Sequence, residues 1–429
     1  MTKQKPVLIV GGGLCGVTTF YELVSRDIPA ILIERNGAVA QGTSYANGGV
    51  LHPSLPDPWN NPGIGRVLFT SLFDRQAPVR LHLRQIPNLA LWGLDFLRNS
   101  SLQRHRDITC ANFRLAHYST RQTEALTQFL NLAYENQTPG SLKIYRSEAE
   151  RSEAIELADL LGPLGLVYED LDQATLLVRE PSLVHCLEPV RGALLFSDDR
   201  VGNARVFCET LAAQAEARGG RIIYNETVRK LVVENGRVVG VELGAERLLG
   251  EVVICTGVDA PALVAPIGLR LPIRPAKGYS ITLDKEEAAT SDIVMPTHPI
   301  LDAMFHIAIT PLGAKLRVLG MAEFMGHDLT LDPTRLKMLR GFFERTLPEV
   351  SKQLDWTKAE NWCGLRPMSS DGRPFIGSTP VEGVWLNCGQ GHLGWTMAVG
   401  SARILADHMT GRVPEIDATA FAYGRARQL

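Results

Sequence analysis

The sequence predicts an α/β chain, α+β when taken whole, in which a parallel-sheet domain is assembled from separated segments and joined to a domain of longer strands. Three observations carry this. A glycine-rich loop, Gly11-x-Gly13-x-x-Gly16, follows the apolar run Val7–Val10 and precedes a helical pattern. A second apolar run ending in glycine, Glu251–Gly257, repeats the strand-to-glycine arrangement far along the chain and brings Thr256 and Gly257 back beside the first loop. Residues 271–359 alternate in a strand-like way, notably over Phe305–Thr310 and Leu316–Glu323.

Taken in order, the first elements are a strand at Val7–Gly11, a helix at Leu14–Arg26 with Val17, Phe20, Tyr21 and Val24 at helical spacing, and a strand at Ala30–Glu34. In such a βαβ unit Gly11 makes the turn, Gly13 lets a pyrophosphate approach the backbone, and Gly16 lets the helix pack closely on the sheet. The diphosphate would sit on the free N–H groups of the helix that starts near Leu14. Glu34 would accept hydrogen bonds from a ribose. Arg35 alone would suggest a 2′-phosphate, which Glu34 at the strand end would repel. The loop is therefore read as a Rossmann-like dinucleotide site, and the pattern by itself leaves FAD and a nicotinamide cofactor both open.

Further along, residues 102–158 read as helical, with a long helix around Asn112–Tyr134 and a turn at Thr138–Gly140. Gly192–Phe196 reads as a strand, Val206–Arg218 as an amphipathic helix, and Arg221–Tyr224 as a strand. Val228–Glu234 and Arg237–Leu243 form a hairpin through Asn235-Gly236, a strong turn signal. A helix is expected at Asp332–Thr346.

Composition narrows the class. With 429 residues, 45% hydrophobic and 21% charged, the chain is a folded protein of two or three domains. A net charge of −2 offers no electrostatic footprint for nucleic acid. Seven scattered cysteines without a C-x-x-C pair argue for reduced thiols, a cytoplasmic setting and no metal motif. Neither a secretory signal nor an apolar run long enough to span a bilayer is visible. Ile64–Leu97 mixes Leu, Phe and Trp92 with Arg66, Arg75, Arg80, Arg84 and Arg98. Such a stretch suits peripheral contact with the inner membrane; packed helices with a solvated basic face are the commoner alternative.

The densest motifs lie at the C-terminal end. Together with the N-terminal GGGLCG, the segments TSYANGG (43–49), PWNNPG (58–63), AKGYSIT (276–282), GLRPMSSDGRPFIG (364–377) and GHLGWTM (391–397) give a pattern covering essentially the whole chain. It resembles the FAD-dependent amine oxidoreductases of the D-amino-acid oxidase, glycine oxidase and sarcosine oxidase type, and within them the dehydrogenase branch, the small subunits of bacterial D-amino-acid dehydrogenases. The resemblance implies a Rossmann-like FAD-binding domain (1–85, 192–270 and 360–429) and a mixed β-sheet substrate domain (86–191 and 271–359), with the flavin ring at their interface. It also implies the cofactor, FAD.

By that resemblance Thr43 and Ser44 run along the ribityl and pyrophosphate portion. Ala46, Asn47, Gly48 and Gly49 approach the flavin ring, and Val228 faces the adenine. Gly391, His392, Leu393, Gly394, Trp395 and Thr396 would open a helix whose dipole faces the flavin pyrimidine ring; for Trp395 and Met397 core packing is an equal alternative. Arg366 would fork onto the substrate carboxylate, the alternative being a salt bridge with Asp371. Tyr279 is a second candidate for the pocket wall, or else a strand residue of the interface. His52 and His306 lie near the presumed pocket without a required role.

The implied reaction is oxidation of a D-amino acid to a 2-oxo acid and ammonia by hydride transfer from Cα to flavin N5, with electrons passed to a quinone or another carrier. Rivals are an oxygen-dependent oxidase of glycine, sarcosine or another secondary amine, and an FAD subunit of an opine-oxidising complex. Where the branch has Gly-Gln-Ile-Ser-Pro-Gly-Tyr this chain has Gly49-Val-Leu-His-Pro-Ser-Leu55, and its Tyr-Lys-Val-Ala-Ile-Thr-Arg becomes Phe305-His-Ile-Ala-Ile-Thr-Pro311. The flavin motifs are kept while pocket positions differ, so the side chain accepted is left open.

Overall fold

Strand Val7–Val10 lies in a six-stranded sheet between Ala30–Ile33 and Val252–Ile254, with all three parallel. The computed structural model that shows this describes residues 5–71, 74, 77–244, 246–285, 293–302 and 305–425. Arg221–Ile223 extends the sheet on one side and Val384–Cys388 on the other, and antiparallel Phe375–Ser378 closes that edge. The inner strands are unbroken apolar runs because both faces are covered. Helix Leu14–Val24 packs on one face together with Ala204–Glu216 and Ala398–Met409. The other face meets Leu231, Val238 and Val241 of a three-stranded meander whose first turn is Asn235-Gly236, both at positive φ (50° and 78°) as a tight hairpin requires. Gly16 fixes how closely the first helix approaches: a Cβ there would stand 1.8 Å from the Gly11 carbonyl oxygen.

The larger sheet runs Glu360–Ser369, Ile273–Asp284, Lys315–Phe324, Ile307–Leu312, Ile300–Asp302, Ser141–Tyr145, Gly192–Phe196, Glu169–Asp172, with Val79–Leu81 pairing parallel to the end of Lys315–Phe324. Three of these strands depart from the expected segmentation. Val79–Leu81, Gly192–Phe196 and Glu360–Ser369 were expected with the nucleotide sheet, yet each pairs in the large one. Helix Leu102–Leu130 departs the other way. It packs on Ala398–Met409 and buries Leu115, Ala116 and Tyr118 in the core of the nucleotide domain. An apolar run fixes that a strand will be buried; the partner edge it meets decides which sheet takes it.

One face of the large sheet is covered by helix Pro333–Thr346 through Leu339, Phe342 and Phe343. The opposite face holds the segment 46–49 by its main-chain carbonyls. Ser280 Oγ donates to Ala46 O (3.1 Å), Arg317 Nη1 to Asn47 O (2.9 Å) and Thr310 Oγ1 to Gly48 O (3.0 Å). That seam joins the two sheets, and the space between them is the site.

The C-terminal end is clasped onto the same frame. Arg425 reaches both carboxylate oxygens of Asp371, at 2.8 and 2.9 Å, and Arg373 reaches the same carboxylate at 2.9 Å. Burial would raise the Asp371 carboxyl; the two guanidiniums more than reverse this and hold it well below the usual range. Removing Arg425 leaves Asp371 with Arg373 alone and takes away two charge-assisted hydrogen bonds, which together cost about 3–5 kcal/mol. Arg425→Met is therefore expected to lower the unfolding free energy by that order in chemical denaturation; a loss below about 1 kcal/mol would show that the clasp contributes no more than a surface pair.

Candidate functional site

A continuous cavity of about 930 Å³ lies between the sheets and runs from the glycine loop to the strand bearing Arg366. At its nucleotide end Gly11 (φ 102°) turns the chain so tightly that a Cβ would meet Cys255 O at 2.8 Å. Gly13 is different. Its backbone is ordinary (φ −79°, ψ −173°), and a Cβ would meet only Ser44 Oγ, at 3.3 Å, standing in the cavity itself. The turn requires Gly11, whereas Gly13 keeps the wall bare. Ser44 Oγ accepts from Leu14 N (3.1 Å) and so uses one of the helix-start N–H groups expected to be free; those of Cys15 and Gly16 have no partner within the helix.

Glu34 Oε2 accepts from Gly12 N (2.6 Å), and Oε1 accepts from Asn36 N (2.9 Å) and Asn36 Nδ2 (2.6 Å). A carboxylate has about four acceptor positions, so the loop uses most of them. Arg35 pairs with Asp259 at the rim (3.0 Å). Val228, Thr256 and Gly257 line the same end. Thr43 also lines the cavity, its hydroxyl donating to Leu365 O (2.8 Å) and tying the loop to the Arg366 strand. Next to it Asn47 and Gly48 are on the wall, and Asn47 Oδ1 accepts from Gly49 N (3.1 Å). Gly49 (φ 69°) is demanded by the sheet, since a Cβ would stand 2.7 Å from Leu312.

The expected helix over 391–396 begins later. Gly391–Leu393 is a 3₁₀ turn with Gly391 at φ 59°, outside helical space, and the α-helix starts at Ala398. Gly391, His392, Gly394, Trp395 and Thr396 line the cavity, but Leu393 is buried in the nucleotide-domain core, as is Met397. Trp395 does both: it belongs to that core, edge-on to Tyr134, and borders the cavity.

At the far end Arg366 lies opposite Gly278, where a Cβ would fall 2.3 Å from Nη1; the absent side chain is what gives the guanidinium its place. Arg366 Nη1 donates to Met321 O (2.9 Å), and the guanidinium stands 5.6 Å from the Trp59 ring centre. Met321 sits at φ 63°, in a kink of its strand that aims this carbonyl. The alternative Arg366–Asp371 bridge does not form, because Asp371 is taken by Arg373 and Arg425. No carboxylate pairs with Arg366 among the described residues, and burial alone lowers its pKa to about 10, leaving it charged at neutral pH.

Tyr279 requires a correction. Strand residues alternate between faces, and Gly278 and Ser280 face the seam, so the Tyr279 side chain points away. Its hydroxyl donates to Glu323 (2.5 Å), a buried carboxylate also held by Arg335, His82 and Arg80. Tyr279 borders the cavity but its phenol belongs to the helix-covered layer.

The loop that closes the substrate end runs through segments the sequence marked, Gly49–Leu55 and PWNNPG (58–63), without a role given to its side chains. His52, Leu55, Asp57 and Trp59 line it, and His392 stacks on Trp59 (5.6 Å). His52 and His392 are each pushed down to about 4, first by burial. Both are neutral at physiological pH, so neither competes with Arg366 for an anion. The loop is anchored by His52 N to Thr396 Oγ1 (3.1 Å) and by Ser54 Oγ to the buried Asp199 (2.6 Å), which also accepts from Ser141 Oγ (2.5 Å).

The model for the family described as FAD dependent oxidoreductase matches residues 6–408. The chain belongs to that family. A D-amino acid dehydrogenase of Cereibacter sphaeroides is 38% identical over 412 residues, 96% of this chain and 93% of the relative. Among solved structures, L-proline dehydrogenase from P. horikoshii (TM-score 0.78, 16% identity, 100% and 99% of the two chains) and glycine oxidase from Geobacillus kaustophilus (0.76, 20%, 99% of each) share the fold. The cofactor of this FAD-dependent family fits the residues present. The bare wall at Gly13 leaves room for a pyrophosphate, and three buried polar atoms on the cavity wall have no partner among the described residues: Thr256 Oγ1, His52 Nδ1 and Trp395 Nε1.

Asp199 gives the loop a pH-dependent anchor. Burial raises its carboxyl to about 7, against the pull of its serine bonds. Between about pH 4 and 7 the folded state therefore binds the extra proton, and stability falls as pH rises through this window. Asp199→Asn should remove that slope. Relative to wild type, the variant should gain roughly 2–3 kcal/mol between pH 5 and 8 in chemical denaturation; a pH-independent difference would show that Asp199 does not titrate there.

Proposed function

We propose that this protein oxidises a D-amino acid to the 2-oxo acid and ammonia, with Arg366 holding the substrate carboxylate. The observation that carries the reading is a half-buried, charged guanidinium at the cavity wall, given room by Gly278 and left without a carboxylate partner among the described residues. A guanidinium presents paired N–H groups that match a carboxylate. Nη1 is aimed by Met321 O, so the fork is preset before substrate arrives. Acceptance of a hydride from the substrate Cα is the chemistry that FAD supplies when bound. The chain's own part is positioning: Arg366 fixes one end of the substrate, Trp59 and His392 wall it, and the neutral imidazoles leave the amine free to lose its proton. Loss of hydride leaves an imino acid, which water converts to the 2-oxo acid and ammonia.

Roles for the remaining residues follow the same reading. Gly11, Gly13 and Ser44 would take the pyrophosphate, with Gly16 letting the helix stand close enough to do so, Glu34 a ribose, Val228 and Thr256 the adenosine side, and Ala46–Gly49 the ring. Arg366→Lys keeps the charge and loses the fork. It should retain FAD while the substrate concentration for half-maximal anaerobic bleaching rises by one to two orders of magnitude, in line with about 2–3 kcal/mol lost; unchanged bleaching would make Arg366 structural.

For the electron acceptor we propose a quinone met at a membrane surface. No helix among the described residues is long and apolar enough to cross a membrane. The expected basic stretch presents itself differently from the sequence reading. Trp92 and Phe96 are buried, Trp92 Nε1 donating to Met368 O, and Arg80 turns inward to Glu323; Arg75 lies outside the described residues. What faces out is apolar: Leu83, Ile86, Leu91, Leu94 and Leu97, with Leu91 76% exposed, beside Arg84 and Arg98. Helix Ile86–Arg98 is thus apolar on its outer as well as its inner face, which supports contact with lipid. Leu91→Asp with Leu94→Asp should cut co-sedimentation with anionic vesicles at least about tenfold, each leucine contributing about 1.5–3 kcal/mol when buried. Rapid peroxide formation in air without vesicle binding would place the protein among the oxidases.

A further inference from the structure

The strand register places an apolar room beside Arg366 that the reaction as derived does not use. Residues opposite one another in a sheet share a face, and neighbours along a strand alternate. Arg366 is paired with Ala276, and both face the cavity side. One strand further on, Glu323 is paired with Lys277 and turns into the helix-covered layer, where it meets Tyr279 and Arg335. Ala322 and Phe324, on either side of it, therefore face the way Arg366 does. The edge strand repeats the pattern: Arg80 turns to Glu323, while Val79, paired with Ala322, faces the cavity. Val79, Ala322 and Phe324 accordingly line it.

A roof closes over this floor. Trp59, Ile64, Leu68 and Phe96 also line the cavity, and with Val79 and Phe324 they belong to one apolar cluster. Helices Ile64–Ser71 and Ile86–Arg98 supply most of the roof and meet each other, a Cβ at Gly65 standing 3.7 Å from Leu97. The guanidinium lies over Gly278 with Nη1 on Met321 O, so it already reaches across to the strand that holds Ala322. Trp59 joins the two parts, being in the roof and 5.6 Å from the guanidinium. Strands are spaced about 4.8 Å apart. A carboxylate seated on Arg366 thus leaves one to two spacings, roughly 5–10 Å, between it and the edge strand.

We propose that this room takes the substrate's side chain, so that the preferred substrates are D-amino acids with a large apolar side chain, of the leucine, methionine and phenylalanine class. The inference rests on the D-amino-acid reading above. The span suits a side chain of that length, and each buried methylene adds to binding. A methyl group would leave the room unfilled, and a charged end group would exchange water for apolar side chains. Ala322 sets the depth, because it is the small residue of the floor between Arg366 and Val79.

The test is anaerobic flavin bleaching of the holoenzyme by D-norleucine, D-alanine and D-lysine, the last having the carbon chain of D-norleucine with a charge at its end. Wild type should favour D-norleucine over each of the others by about tenfold or more in kcat/KM, the difference carried by KM. Ala322→Leu and Val79→Phe, each checked for FAD content, should lower the norleucine-to-alanine ratio by about tenfold. A wild-type ratio near one, or a ratio unaltered in both variants, would overturn the proposal. D-lysine as the best substrate would overturn it too, giving the choice of side chain to Asp57 on the loop that carries Trp59. Slower reoxidation by a soluble quinone analogue, with bleaching unaltered, would assign the room to the electron acceptor instead. Bleaching by D-amino acids with a flat ratio would remove the role of the room alone. Bleaching only by L-amino acids or secondary amines would remove the D-amino-acid reading with it.

Discussion

A missing Cβ at Gly278 decides where the charge of this site lies. Strands Ile273–Asp284 and Glu360–Ser369 pair so that Gly278 and Arg366 share the face turned toward the nucleotide sheet. Any side chain at 278 would occupy the guanidinium's own volume. The cation is thereby forced to lie flat over the strand, between Met321 O and Trp59. The rest of the substrate end is arranged around that position: imidazoles kept neutral by burial and an aromatic wall. Drawing a charge out of water without a counter-ion is costly, and desolvation accordingly lowers the Arg366 pKa. A binding site can tolerate such a charge when its partner is the ligand.

The contrast with Asp371 makes the point from the other side. There a buried carboxylate is met by two arginines and is fully satisfied, and it closes the C-terminal end onto the frame. Glu323 is likewise satisfied, by Tyr279, Arg335 and His82, with its carboxyl lowered: burial raises it, and the Tyr279 hydroxyl and Arg335 reverse the effect. Buried charge in this protein is either completed from within, where it fixes structure, or left incomplete at the cavity.

Much of this could be read from the residues. The glycine loop, the first helix and the Asn235-Gly236 hairpin all carry local signals, because turn geometry and apolar spacing are local matters; Arg366 was singled out only by the family resemblance. What escaped depends on pairing between distant segments. The alternation around Tyr279 showed that neighbours face opposite ways but not which way, and only the seam at Ser280 settles it. Sheet membership of Val79–Leu81, Gly192–Phe196 and Glu360–Ser369 turns on edges supplied from elsewhere in the chain. Arg80 and Trp92 looked like surface residues because their partners, Glu323 and Met368, lie far along the sequence. The loop through Asp57 carried no periodic signal, because Pro53, Pro56 and Pro58 interrupt any regular spacing of Leu55 and Trp59.

The strand order of the smaller sheet bears on how the chain is made. Strand Val7–Val10 is apolar throughout, yet its partner on one side is Val252–Ile254, far along the chain, and the sheet is completed only by Val384–Cys388. Helix Ala398–Met409, which covers that sheet, and Arg425, which clasps it, come later still. Domains commonly fold in turn as they emerge, but here neither sheet can close until the strands from Glu360 onward have been synthesised. Strand Val7–Val10 can pair early with Ala30–Ile33 on one edge, and its other edge stays open until Val252–Ile254 is made.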